Sequence, residues 1–130
     1  MDKKEDVWEF EKLEQQLHSF LAEVSELSKK KPNDALNKFK LKFINATLAK
    51  LNSLLKDDRP FGDFQLFDVD DLPTNSDVVL ILSQYTAATR RFRKEHTEFD
   101  EDERKWYWIV RGKMSDLETG NPEAFRYQSK

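Results

Sequence analysis

Residues 76–96, SDVVLILSQYTAATRRFRKEH, join the chain's longest unbroken apolar run to its densest arginine cluster. Val78, Ile81, Leu82, Tyr85, Ala88 and Phe92 recur at steps of three and four, the period of one helix face. Val79 and Leu80 fill the other faces of the first turns, so this end is expected to be buried nearly all round. A buried strand over VVLIL is the competing reading. Length decides against it. From Asn75 to Glu118 the only Gly or Pro is Gly112, and strands rarely exceed about ten residues. The stretch therefore predicts a helix over 76–96, capped by Asn75 or Ser76, with Asp77 at the positive end of its dipole. Arg90, Arg91, Arg93 and Lys94 fall in its last turns, where cations are favoured, and form a candidate binding cluster.

Two further helices precede it. Phe10, Leu13, Leu17, Phe20, Val24 and Leu27 make a heptad seam over 4–30, closed by Lys29, Lys30 and Lys31 just before Pro32. Asn33 or Asp34 is placed to cap a helix over 34–56. Its apolar residues fall in two stripes, one of Leu36, Phe39 and Phe43, the other of Leu41, Ile44, Leu48, Leu51 and Leu55. Stripes about 140° apart imply two neighbours, so this helix is expected at the centre of the molecule. His18 reads as structural, at the edge of the first seam.

The segment 57–73, DDRPFGDFQLFDVDDLP, cannot continue a helix through Pro60, Gly62 and Pro73. It carries too many apolar groups for a solvated linker. Phe61, Phe64 and Phe67 either cap one end of a helical bundle or form an acidic, aromatic docking element for a basic partner. Beyond His96, Asp100 and Glu103 resemble a capping pair opening a last helix over 101–118. Trp106, Ile109, Val110, Met114 and Leu117 would supply its apolar face. WYWIV also has strong strand propensity, and Gly112 weakens a helix. Residues 119–130 form a tail in which Phe125 and Tyr127 are available to dock.

The expected fold is a single domain over 1–130, all-α, a mainly antiparallel four-helix bundle with a long aromatic and acidic loop between helices 2 and 3. The chain holds no cysteine, which excludes disulfides, thiolate zinc sites and a cysteine nucleophile. The N-terminus MDKKEDVWEF lacks the apolar core of a signal peptide, and no apolar segment approaches the roughly 20 residues that span a bilayer. A cytoplasmic location without membrane contact is the expectation. Charge is unevenly spread: six lysines against one aspartate over 29–42, and six aspartates against one arginine over 57–71. Acidic and basic zones of this kind meet solvent, or meet across a partner.

No complete catalytic set is present. The three glycines are isolated and build no phosphate-cradling loop. Gln15 and Arg93 stand where a di-iron bundle would need glutamates three before His18 and His96. Asp68, Asp70 and Asp71 lack the glycine and terminal glutamate of a calcium loop. No metal and no cofactor is expected. One pair has the chemistry for catalysis. The Arg91-x-x-x-x-His96 spacing resembles the active motif of HEPN-type ribonucleases, which are helical bundles of about this length. The resemblance covers six residues and implies metal-free RNA cleavage at a dimer interface, with His96 moving the proton and Arg91 stabilising a charged phosphorane. Residues five apart on a straight helix point about 140° away from each other, so the pair needs a helix end or a second subunit to converge.

The leading expectation is a non-enzymatic protein–protein interaction module: an adaptor, regulator or small subunit, self-associating as a homodimer. Its candidate binding residues are Arg90, Arg91, Arg93, Lys94, Phe61, Phe64, Phe67, Trp106 and Trp108. The alternatives are the ribonuclease and a nucleic-acid-binding module. The latter would use the Arg90–Lys94 cluster against phosphates and Trp106, Tyr107 and Trp108 against bases. A net charge of −3 gives the whole chain no pull toward nucleic acid.

Overall fold

The structure, a computed structural model, describes residues 1–123. The chain runs α1 (Lys4–Lys30), α2 (Lys38–Leu55), a 3-10 turn (Lys56–Asp58) and α3 (Asn75–Glu95), then β1 (Thr97–Asp100), β2 (Lys105–Val110) and β3 (Lys113–Thr119). The architecture is α+β and not an all-α bundle. Three helices carry a three-stranded antiparallel meander in the order β1-β2-β3, with 56% of the described residues helical and 15% extended. The tail residues Phe125 and Tyr127 lie outside the described residues.

The expected helix over 101–118 is replaced by β2, β3 and their turns, for reasons local to each turn. Asp100 does not cap a helix. Its side chain accepts from Asp102 N at 2.9 Å and Glu103 N at 3.3 Å, and its carbonyl accepts from Arg104 N at 2.7 Å. This tightens a hairpin turn with Arg104 at φ 59°. The second hairpin turns on Arg111 and Gly112, at φ 54° and 74°. Two positive φ values in a two-residue loop match the turn that suits strand twist. Gly112 is thus a hairpin residue and not a weak helical one. β2 then presents WYWIV as a strand, in line with its aromatic and β-branched content. Between Tyr107 and Ile109 the register with β3 shifts. There Ser115 Oγ donates to the Trp108 carbonyl at 2.6 Å.

α1 occupies the centre, packed on α3 and on α2. The two stripes of α2 assign that place to α2, but only one of them is buried. Leu41, Ile44, Leu48, Leu51 and Leu55 join the core, whereas Phe39 and Phe43 are exposed. Each stands two residues from Leu41, roughly opposite it at about 100° per residue. α2 also starts later than its first apolar residue. Asn37 is its cap, accepting from Lys40 N at 2.8 Å. Leu36 lies outside the helix, its N donating to the Pro73 carbonyl at 2.9 Å beside an Ala35–Thr74 bridge.

α3 is helical through VVLIL, capped by Thr74 Oγ1, which accepts from Asp77 N at 3.1 Å. Asn75 is one of its buried residues. It joins the two connections at one neck: its N donates to the Asp34 carbonyl at 2.9 Å and its Nδ2 to the Lys31 carbonyl at 2.9 Å. Ser76 N adds a bond to the Pro32 carbonyl at 3.0 Å. One core cluster contains Phe10, Leu13 and Leu17 of α1, the α2 stripe, Val78, Leu82, Tyr85 and Phe92 of α3, and Trp108 of β2. No helix among the described residues is long and apolar enough to cross a membrane.

Candidate functional site

The basic cluster on α3 splits between core and surface. Arg93 is 1% exposed. Its Nη2 donates to Glu14 Oε1 at 2.6 Å and its Nη1 to Thr119 Oγ1 at 2.5 Å. The guanidinium lies over the Trp108 ring at 4.8 Å and near the Phe10 ring at 5.8 Å. Arg93 is therefore a structural tie and not a contact for a partner. The sequence holds the signal for this: Leu82, Thr89 and Arg93 follow one another at helical spacing along the buried side. Trp108 is fully buried, its ring edge-on to Phe10 at 5.5 Å, so it cannot stack on a base.

Beside this knot Glu11 is half-buried, and burial raises its carboxyl above the ordinary range. The Arg93 charge and the Trp108 indole act against that rise. Trp106 faces the other side of the sheet, against Phe99 at 5.4 Å.

Arg90, Arg91 and Lys94 remain exposed. With Ala87, Pro122 and Glu123 they line a cavity of about 390 Å³. Lys94 Nζ meets Glu123 Oε1 at 2.6 Å, which raises the ammonium's pKa and lowers that of the carboxylate. Arg91 and His96 are not brought to one place. His96 lines a different cavity, of about 620 Å³, with Met1, Asp6, Leu55 and Asp58. Its ring stacks on Phe92 at 3.9 Å, and Nδ1 lies 2.9 Å from the Phe92 carbonyl. A carbonyl only accepts, so Nδ1 carries the proton in that bond. No group of three or more His, Asp or Glu among the described residues is placed to hold a metal ion.

The segment 57–73 is a strap laid along α2. Asn45 bonds the Phe67 backbone twice, Nδ2 to the carbonyl at 2.9 Å and Oδ1 from the N–H at 3.0 Å. One heptad on, Asn52 Nδ2 donates to the Gln65 carbonyl at 2.9 Å, and its Oδ1 accepts from Tyr85 Oη at 2.6 Å. Phe61, Phe64 and Phe67 follow one another edge-to-face at 6.3 and 5.1 Å. Phe64, Phe67 and Val69 pack against the core. Their rings serve the strap's own packing.

Among the exposed large apolar side chains are two that are not among the expected binding residues and that touch each other. Phe39 is 71% exposed and Phe43 54%, and their rings meet edge-to-face at 5.1 Å. Beside them α1 and α2 run antiparallel in a register marked by two contacts: Thr47 Oγ1 donates to Gln16 Oε1 at 3.0 Å, and Lys40 Nζ stands 3.6 Å from Glu23 Oε1. Between these the helices leave a groove of about 230 Å³, lined by Gln16, Phe20, Phe43, Ala46, Thr47 and Lys50. Lys38 has an ion-pair partner in Asp70, at 3.8 Å. Lys42 and Lys50 have none among the described residues. The sequence signal is the run Lys38-Phe39-Lys40-Leu41-Lys42-Phe43. Neighbouring lysines do not by themselves separate the faces, since Leu41 between Lys40 and Lys42 is buried; Phe39 and Phe43, four apart, share the face opposite it.

No family model matches the chain, and no curated protein and no solved structure matches it.

Proposed function

We propose that this chain is a protein–protein interaction module, and that its docking face is the α1–α2 groove with the Phe39–Phe43 pair. The observation that carries the reading is that pair. Two phenylalanines 71% and 54% exposed each forgo more than half of the about 1.5–3 kcal/mol that full burial gives, while a well-formed core closes on the opposite face of the same helix. A scattered exposed apolar residue needs no explanation. Two rings in edge-to-face contact, one of them lining a groove, form a patch of the kind that marks interaction surfaces. The polar surroundings, Gln16, Thr47 and the lysines, give the apolar-centre, polar-rim arrangement of such sites.

Position-specific crosslinking tests this. A photo-reactive phenylalanine analogue at position 43 in the producing cell is expected to give a discrete protein adduct. The same analogue at Ala49, exposed elsewhere on α2, is expected to give none. Equal yields from both positions, or an adduct to nucleic acid, would sink the reading.

A further inference from the structure

Charge across the groove is lopsided, and this bears on what can lie in it. On α2, Lys50 lines the groove and Lys42 is exposed next to Phe43, neither with an ionic partner among the described residues. The α1 wall presents Gln16, Phe20 and Glu23 along one stripe, Glu23 being spent on Lys40. The apolar floor runs along Phe39, Phe43 and Ala46, at helical steps of four and three. An apolar stripe of that period, roofed by a neighbouring helix on one side and open on the other, is complementary to the apolar stripe of a third helix. Among the described residues that line the groove, the cation is Lys50, on the α2 side. We infer that the groove takes an amphipathic helix with an acidic polar face from a partner protein, its acidic edge turned toward Lys42 and Lys50. This rests on the reading of the groove as the docking face and adds the chemistry of the occupant.

The same observations disfavour other occupants. A second copy joined through a two-fold axis would set this patch against itself, bringing the lysines of both copies to one interface, where like charges cost affinity. A lipid surface is flat and anionic, and would meet the Glu23 wall together with the lysine wall. An acidic helix meets only the wall that suits it.

The test is a selection on the intact protein. A displayed library of helical peptides carries fixed Leu and Phe at three- and four-residue steps, with polar positions varied among Asp, Glu, Lys, Arg, Ser and Gln. Selected peptides are expected to be rich in Asp and Glu. Amide shift changes are expected at Phe39, Phe43, Ala46 and Lys50. The variant F39A/F43A should weaken binding by about tenfold or more. Both rings are exposed, so its helical circular dichroism should match that of the parent. K42E/K50E should slow association and flatten its salt dependence.

Selected peptides with basic or neutral polar faces, no peptide that needs Phe39 and Phe43, or binding indifferent to K42E/K50E would each overturn the inference. So would Phe43-dependent co-sedimentation with phosphatidylcholine–phosphatidylserine vesicles, or Phe43-dependent dimerisation in light scattering. If peptide selection fails while the position-43 crosslink still forms, the docking face stands and the acidic helix falls. If both fail, the docking face falls with it.

Discussion

Tyr107 and Glu103 form a contact with a measurable titration. Glu103 belongs to the first hairpin turn, and the Tyr107 hydroxyl donates to its Oε2. That bond, aided by burial and by the charges of Glu103, Glu118 and Asp100, pushes the phenol up to about 12 from its ordinary 10.0. The phenol must stay protonated to donate. With the folded pKa above the unfolded one, the contact stabilises fully below pH 10 and is lost as pH rises from 10 toward 12. Tyrosinate absorbance in an alkaline titration should show Tyr107 ionising last, after Tyr85, which burial also raises. Glu103→Gln should bring that last step earlier while Tyr85 stays put, and a step that does not move would exclude the contact. In the sequence this residue pair is invisible, because Glu103 reads as the far member of a helix-capping box. The spacing Asp-x-x-Glu serves a cap and an Asx turn equally well. Trp106 and Trp108, alternating about Tyr107 just beyond the turn, favour the turn over the cap.

At the scale of elements, the sheet is fastened to the helices by a buried ionic tie. Arg93 of α3 reaches Glu14 of α1 and Thr119 of β3. Removing one partner of a buried pair leaves a charge stranded, at a cost of about 3–5 kcal/mol. Arg93→Ala should lower the denaturation midpoint accordingly, and amide exchange in β3 should rise before exchange in α2. Arg93→Met with Glu14→Leu should recover most of that loss, since apolar groups of similar volume replace such pairs at little cost. A single variant as stable as the parent would show the tie carries nothing.

The three helices are legible from periodicity because their buried faces repeat over many turns. α1 offers Phe10, Leu13, Leu17 and Val24, all buried. The sheet is not, because Trp106, Ile109, Val110, Met114 and Leu117 satisfy helical spacing as well as they satisfy two short strands. β3 does alternate in burial from Met114 to Thr119, but Ser115 and Thr119 on its half-buried side are polar, so hydropathy does not declare it. The start of α2 is hidden for a related reason. Leu36 is buried yet not helical, held by Pro73, a contact between residues far apart in sequence that no local pattern contains.

At the scale of the whole molecule, the candidate site is present in the sequence but reads as facing inward. Two stripes on α2 imply two neighbouring helices, but α1 covers one stripe, the strap lies along the Asn45–Asn52 side, and Phe39 and Phe43 stay exposed. The neck made by Asp34, Asn75, Ser76 and Pro32 bears on the molecule's integrity. Everything from Leu36 to Pro73 forms a closed lobe whose two ends are already bonded to each other, and α1 grips α3 independently of the strap. Covalent continuity through the strap is therefore dispensable once the fold is made. With a specific protease site set at Gly62, where no heavy atom crowds an added Cβ, cleavage should give fragments 1–62 and 63–130 that co-elute and keep their helical signal until denaturant is added. Fragments that part in buffer would show that the strap, and not the neck, holds the halves. If they stay together, the groove-bearing half can be exchanged for a separately made one, so that an isotope-labelled or crosslinker-bearing half is reassembled with an unlabelled partner half.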